Sequence, residues 1–180
     1  EDLYTGIEFA AGTEENARFR SLLKEHFPDQ YRRVRFPESS GFGIKPISRE
    51  GTARLVRAAI RYALDHQRRS VTLVHKGNIM KYTEGAFRAW GYETAESEFA
   101  DRVFTMRQWD AIKKESGEPA ANIAMNAAME NGRLLIKDII ADAAFETALT
   151  RPETLDVLAT PNLNGDYLSD ALSAQVGGLG

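Results

Sequence analysis

The feature that most limits what this chain can fold into is an alternation. Short runs of strand character, SVTLVH, RLLIKD and LDVLAT, are separated by longer stretches in which apolar residues recur at helical spacing. Strands that take turns with helices predict an α/β fold. The clearest helix begins at Ser48, a natural cap. Leu55, Val56, Ala59, Ile60, Ala63 and Leu64 form one apolar stripe, and Arg54, Arg57 and Arg61 face away. SVTLVHKGN reads as a buried strand that runs into a loop. Met80 to Phe99 reads as a second helix, interrupted near Gly91. The stretch from Arg102 to Asn131 is polar and mostly helical by pattern, with a break at Gly117-Glu118-Pro119. RLLIKD is a strand, Ile139 to Leu149 a helix that stops before Pro152, LDVLAT a strand, and Gly165 to Val176 a last helix.

The first part of the chain reads differently. Leu3 to Phe9 has the look of a short strand. Thr13 to His26 is a helix with Thr13 as its N-cap and Pro28 as its stop. YRRVRF alternates like a strand, and Phe42 to Ile44 is placed to partner it beyond a Ser-Ser-Gly turn. Thr5 to Lys45 is therefore expected to be a small arm of strands with one helix, and residues 1–4 and 46–180 the α/β domain.

Composition narrows the function classes. With 180 residues, 43% hydrophobic and 27% charged, the chain can bury a full core. The net charge is −3, with both signs interspersed, so no basic nucleic-acid surface is expected. There is no cysteine, which removes thiolate metal sites and cysteine nucleophiles. No apolar run is long enough to span a bilayer and the opening residues lack a signal-peptide pattern, so a cytoplasmic, non-membrane protein is expected. EDLYTGIEFA enters directly into a strand-like pattern and QVGGLG closes on glycines, which suggests a piece of a larger protein.

Three places could carry chemistry. Asp166 and Asp170 stand four apart, which puts both carboxylates on one helix face. They are either a solvated helix start favoured by the helix dipole or an oxygen-only site for Mg²⁺. Asp138 and Asp142 form a second such pair. Asp138 is placed to cap the following helix, and Asp142, near Ile139 and Ala143, needs a partner if buried. His75, Lys76 and Asn78 follow a buried strand, where α/β proteins place ligands. Lys76 reads equally as a structural or a functional charge, and His75 as a packed or hydrogen-bonded histidine. Tyr4 on its own reads as a core tyrosine. GFGIKP and VGGLG are glycine-rich, but neither is a dinucleotide fingerprint.

The segments EDLYTGIEF, RFPESSGFGIKP, VTLVHKGNIMKYTEGAF, IKDIIADA and NLNGDYLSDALSAQVGGLG, in this order, resemble the bacterial NADP-dependent isocitrate dehydrogenases. The resemblance covers most of the chain. The isopropylmalate and homoisocitrate dehydrogenases share the architecture, but HKGNIMK and the final segment are more similar to the isocitrate enzymes. The resemblance implies the small domain of that fold, with a β-rich clasp arm at 5–45 that interlocks two subunits and with the large domain absent. It implies that Asp166 and Asp170 bind Mg²⁺ or Mn²⁺, with Asp142 supplied by the partner subunit. It implies Lys76 and Tyr4 as the catalytic pair, the lysine again delivered across a homodimer with a shared active site. Asn78 matches a residue near nicotinamide and substrate, and Arg151 one that reaches the cofactor phosphate of the partner subunit. Glu146 stands where the family often has a glutamine near the cofactor, and the stretch from Arg102 to Asn131 is longer and more helical than the usual hairpin. The implied reaction is the oxidative decarboxylation of isocitrate with NADP, or NAD, as acceptor. This chain alone is expected to be inactive, and a sister enzyme or a purely dimerising module are the rival readings.

Overall fold

The computed structural model describes residues 1–178. The chain divides into two compact units, Asp2–Pro46 and Glu1 with Ile47–Gly180.

In the first unit, a 3-10 turn over Leu3–Thr5 precedes β1 (Glu8–Phe9), α1 (Glu14–His26), α2 (Pro28–Tyr31) and β2 (Phe42–Gly43). β1 and β2 pair antiparallel, with Phe9 opposite Phe42. Thr13 caps α1 by accepting the Asn16 N–H, as expected from its position. The buried Asn16 side chain ties the sheet together, donating to the carbonyls of Phe9 and Ser40 at 3.0 Å each. Phe19 stacks on Phe9, with ring centres 4.4 Å apart. Two expectations fail here. Leu3 to Thr5 is a turn rather than strand, because the buried Asp2 carboxylate accepts the Leu3 N–H and winds it. YRRVRF is not a strand either. Pro28 starts a helical turn as well as ending α1, and the amides of Arg33 and Val34 bond back to Gln30 and Tyr31, so the arginines are consumed in turns.

The second unit continues with α3 (Arg49–Asp65), β3 (Ser70–His75), α4 (Glu84–Glu98), β4 (Val103–Thr105), α5 (Met106–Ser116), α6 (Glu118–Glu130), β5 (Leu134–Ile140), α7 (Ala141–Thr150), β6 (Val157–Ala159) and α8 (Asn162–Gln175). The four strands form one sheet in the order β4-β5-β3-β6, all parallel. β3 lies in the middle and every residue of it is buried. Its alternate side chains face opposite layers. Val71 and Leu73 pack with Val56 and Ile60 of α3 and Phe87 and Tyr92 of α4. Val74 packs with Ala141 and Ala144 of α7 and Leu168 of α8. Helices on both sides of a parallel sheet explain why its strands read as continuous apolar runs.

Ser48 caps α3 by accepting the Gly51 N–H at 3.0 Å, and Val56, Ile60 and Ala63 of the expected stripe are fully buried, while Leu55 at its edge is exposed. α4 runs through Gly91 without interruption. A β-carbon there would come within 2.7 Å of Leu73 Cδ1, so the glycine lets the helix settle onto β3. The break at Gly117-Glu118-Pro119 separates α5 from α6, and Thr105 and Gln108 form a reciprocal capping box ahead of α5. The strand β4 in front of that box was hidden in a polar stretch.

Candidate active site

The candidate residues gather where parallel strands end. His75 closes β3 opposite Ile140, which closes β5, so the two strand ends lie side by side. Lys76 follows the first and Asp142, in the first turn of α7, follows the second. Lys76 Nζ reaches Asp142 Oδ1 at 2.5 Å and also contacts Oδ2. The hydrogen bond from Lys76 holds the Asp142 carboxyl below its ordinary range. Asp142 is thus not buried among apolar neighbours but exposed and paired. A tight turn follows Lys76, whose carbonyl accepts from the amides of Ile79 and Met80, and Asn78 is presented to solvent within it.

Asp166 and Asp170 lie one turn apart on α8, both exposed. The helix begins at Asn162, not at Gly165, so Asp166 falls beyond the first turn and the helix-start reading of the pair loses its basis. Two exposed carboxylates on one helix face suit a hard cation that takes one or two carboxylates and completes its shell with substrate and water. Among the described residues no three histidine, aspartate or glutamate side chains come together to hold a metal ion. Asp142 is therefore not grouped with Asp166 and Asp170 within one chain. Asn164, just ahead of the pair, donates its side-chain amide to Glu84, a fully buried carboxylate at the start of α4. Nothing in the run TEGAF marks Glu84 as this anchor.

Glu146 and Arg151 are both exposed near the end of α7 and lie 3.6 Å apart as an ion pair. Tyr4 belongs to the other unit, where it is exposed in the Leu3–Thr5 turn rather than in a core.

Asp138 does not cap a helix. The two isoleucines after it prolong β5 to Ile140, and Asp138 lies within the strand beside Leu73. Its carboxylate instead collects two hydrogen bonds and an ion pair: His75 Nε2 at 2.9 Å and the Tyr92 hydroxyl at 2.5 Å are the hydrogen-bond partners, and the Arg88 guanidinium lies 2.9 Å away as its counter-charge. Burial would raise its pKa, but the hydrogen bonds from His75 and Tyr92 and the Arg88 charge prevail and hold it below the ordinary carboxylate range. Burial and the bond to this anion push the Tyr92 phenol up. The hydrogen-bonded reading of His75 thus holds. The signal for the hub was a lone carboxylate inside LLIKDII with Arg88 and Tyr92 at helical spacing.

Among the described residues no helix is long and apolar enough to cross a membrane. The sequence matches the isocitrate/isopropylmalate dehydrogenase family over residues 1–180. It is 57% identical over its whole length to isocitrate dehydrogenase (NADP) of Staphylococcus epidermidis, covering 42% of that protein. It is 49% identical to the Helicobacter pylori isocitrate dehydrogenase (NADP), covering 39%. The fold is similar to the crystal structure of isocitrate dehydrogenase from Methylococcus capsulatus, with a TM-score of 0.61, 30% identity and coverage of 99% of this chain and 37% of that one. The chain thus spans less than half the length of these relatives. With a family match along the full sequence and a parallel α/β sheet that carries Lys76 and Asp142 at its carboxyl end, the chain belongs to the isocitrate/isopropylmalate dehydrogenase family.

Proposed function

We propose that this chain supplies the catalytic lysine, the metal carboxylates and the dimer arm of a cytoplasmic NADP-dependent isocitrate dehydrogenase, which converts isocitrate to 2-oxoglutarate and CO₂. The observation that carries this reading is the Lys76–Asp142 pair at the adjoining ends of β3 and β5. The identity to relatives named for that reaction supports it.

Asp166 and Asp170 are the residues that would hold Mg²⁺ or Mn²⁺, joined by Asp142 of a second copy. When bound, the dication supplies Lewis-acid polarisation of the substrate's hydroxyl and carboxylate, and NADP supplies the hydride acceptor. Lys76 takes the hydroxyl proton as that carbon is oxidised, and Asp142 keeps its amine on the reacting side of the loop. Tyr4 returns a proton to the carbon that loses CO₂. Asn78 would lie beside nicotinamide and substrate when these are bound, and Arg151, which pairs with Glu146, would reach the cofactor phosphate of the second copy.

The arm supports a homodimer with shared sites. Only Asp2 and Asn16 are buried in the Asp2–Pro46 unit, while Leu22, Phe27 and Phe36 are 55%, 57% and 63% exposed. Such a surface gains from pairing with its own copy through a two-fold contact. The 180-residue chain alone is expected not to turn over, because the contacts of substrate and cofactor would be incomplete on it.

The test is a dehydrogenase assay of the full-length protein with isocitrate, isopropylmalate and homoisocitrate, each with NAD and NADP and with Mg²⁺ or Mn²⁺. Isocitrate with NADP is expected to give the highest kcat/KM. Preference for either other acid would overturn the substrate.

A further inference from the structure

Behind Lys76 runs a chain of hydrogen bonds that the proposed chemistry does not use. Asp138 Oδ2 faces His75 Nε2 at 2.9 Å. On the other side of the ring, His75 Nδ1 lies 3.0 Å from the backbone N–H of Gly77. A backbone amide can only donate, so Nδ1 is an acceptor and carries no proton. The ring proton therefore sits on Nε2 and is donated to Asp138. The imidazole becomes a rigid spacer between β5 and the backbone on the far side of Lys76.

Packing leaves this spacer no slack. His75 is 4% exposed. A β-carbon on Gly77 would lie 2.8 Å from Gly85 Cα and 2.9 Å from His75 Nδ1, so the loop rests directly on the ring and on the start of α4. Asp138 is itself fixed by Tyr92 and Arg88 of α4. Lys76 is thus flanked by two residues, His75 and Gly77, that are joined to each other through one ring nitrogen. Where Nζ can reach depends on where that short segment is held, and in the structure it reaches Asp142.

We propose that Asp138 and His75 are positioning residues for Lys76: the carboxylate fixes the tautomer and orientation of the imidazole, and the imidazole holds the Gly77 amide so that Lys76 stays on Asp142. The proposal rests on the reading of Lys76 as the base. A carboxylate that orients a histidine by receiving its ring proton is a recurrent device, and losing such an outer partner at a metal site lowers activity about 10–100-fold.

The substitutions separate positioning from charge and from stability. Asp138→Ala leaves the Nε2 proton without an acceptor and frees the ring to turn off the Gly77 amide, after which its tautomers can exchange. Asp138→Asn removes the charge, yet its oxygen can still accept from Nε2 while the Tyr92 hydroxyl turns to accept from the amide. His75→Gln keeps a donor toward Asp138 but leaves the Gly77 amide without its acceptor.

In the full-length enzyme, Asp138→Ala and His75→Gln are expected to lower kcat about 10–100-fold with KM for isocitrate held, and most of the loss should return in Asp138→Asn. Nitrogen NMR of ¹⁵N-histidine-labelled protein gives a readout apart from turnover, with the His75 signals assigned by their absence in His75→Gln. Wild type and Asp138→Asn should show a protonated Nε2 and a bare Nδ1, and Asp138→Ala a mixture. Lys76→Met is the control arm. If it abolishes turnover while folded Asp138→Ala and His75→Gln keep wild-type kcat, the positioning role is overturned and the base survives. If Lys76→Met itself keeps turnover, both are overturned. Should Asp138→Ala fail to fold, His75→Gln decides alone, by loss or retention of kcat at an unchanged melting temperature.

Discussion

Lys76 and Asp142 are 66 residues apart in sequence, yet Nζ lies 2.5 Å from Oδ1. The pairing of β3 with β5 makes this contact, since His75 and Ile140 end in register and each charged residue comes just after its strand. In the full-length enzyme, Asp142→Asn should therefore lower kcat about 10–100-fold, because it removes the anion that holds the amine and one proposed metal ligand. Steady-state kinetics at saturating Mn²⁺ and isocitrate are the check. Wild-type kcat would show that the pair is only a surface ion pair.

Asp166→Asn should weaken metal binding without disturbing α8. Both carboxylates of the helix are exposed, so the exchange costs little stability, about 0.5 kcal/mol or less. Asparagine keeps the shape but loses the charge that a hard cation prefers. Titration calorimetry with Mn²⁺ on full-length wild type and variant reads this directly, and an affinity drop of about tenfold or more is expected. Equal affinity would remove Asp166 from the metal site.

Asp138 gives the fold an acid-sensitive contact. Its pKa is depressed in the folded chain, so its contribution is present above the ordinary carboxylate pKa of about 4 and is lost as pH falls through the lower folded value. Denaturant unfolding should show Asp138→Asn less stable than wild type by about 1–3 kcal/mol near neutrality. The gap should shrink as pH falls below about 4, where wild type also loses the charge. A gap independent of pH would mean that the charge of Asp138 contributes nothing to the fold.

Much of the second unit was legible in sequence because its signals are local. Ser48 with the stripe through Val56, Ile60 and Ala63 names α3, and the continuous apolar run of β3 names a buried strand. The spacing of Asp166 and Asp170 placed both on one helix face. What escaped depends on backbone bonds and strand neighbours that the residue pattern does not display. Alternation in YRRVRF looks like a strand, but the bonds that wind it into turns come from the residues just before it. Asp138 looks like a cap until Ile139 and Ile140 find register with Val74 and His75 and carry β5 past it. The partner of Asp142 could not be read from local pattern, because it depends on which strand lies next to β5; only the family resemblance put Lys76 and Asp142 at one site.

The arm should drive self-association. Phe27 and Phe36 are 57% and 63% exposed in a unit with little core of its own. Light scattering of the 180-residue chain at micromolar concentration is expected to give twice the chain mass. Phe27→Ser with Phe36→Ser should move it toward the monomer while far-UV dichroism stays folded. A folded monomer in the unsubstituted chain would contradict the role given to the arm.

In the proposed homodimer each site would take Lys76 and Asp142 from one subunit and Asp166 and Asp170 from the other. Mixed dimers of full-length Lys76→Met and Asp166→Asn decide this. Each variant alone should be nearly inactive. After the two are unfolded, mixed in equal amounts and refolded, half of the dimers are hybrids, and each hybrid carries one site with every residue intact. About a quarter of wild-type turnover should then return. A mixture as inactive as its components would show that the residues act within a single subunit, and the shared site would be wrong.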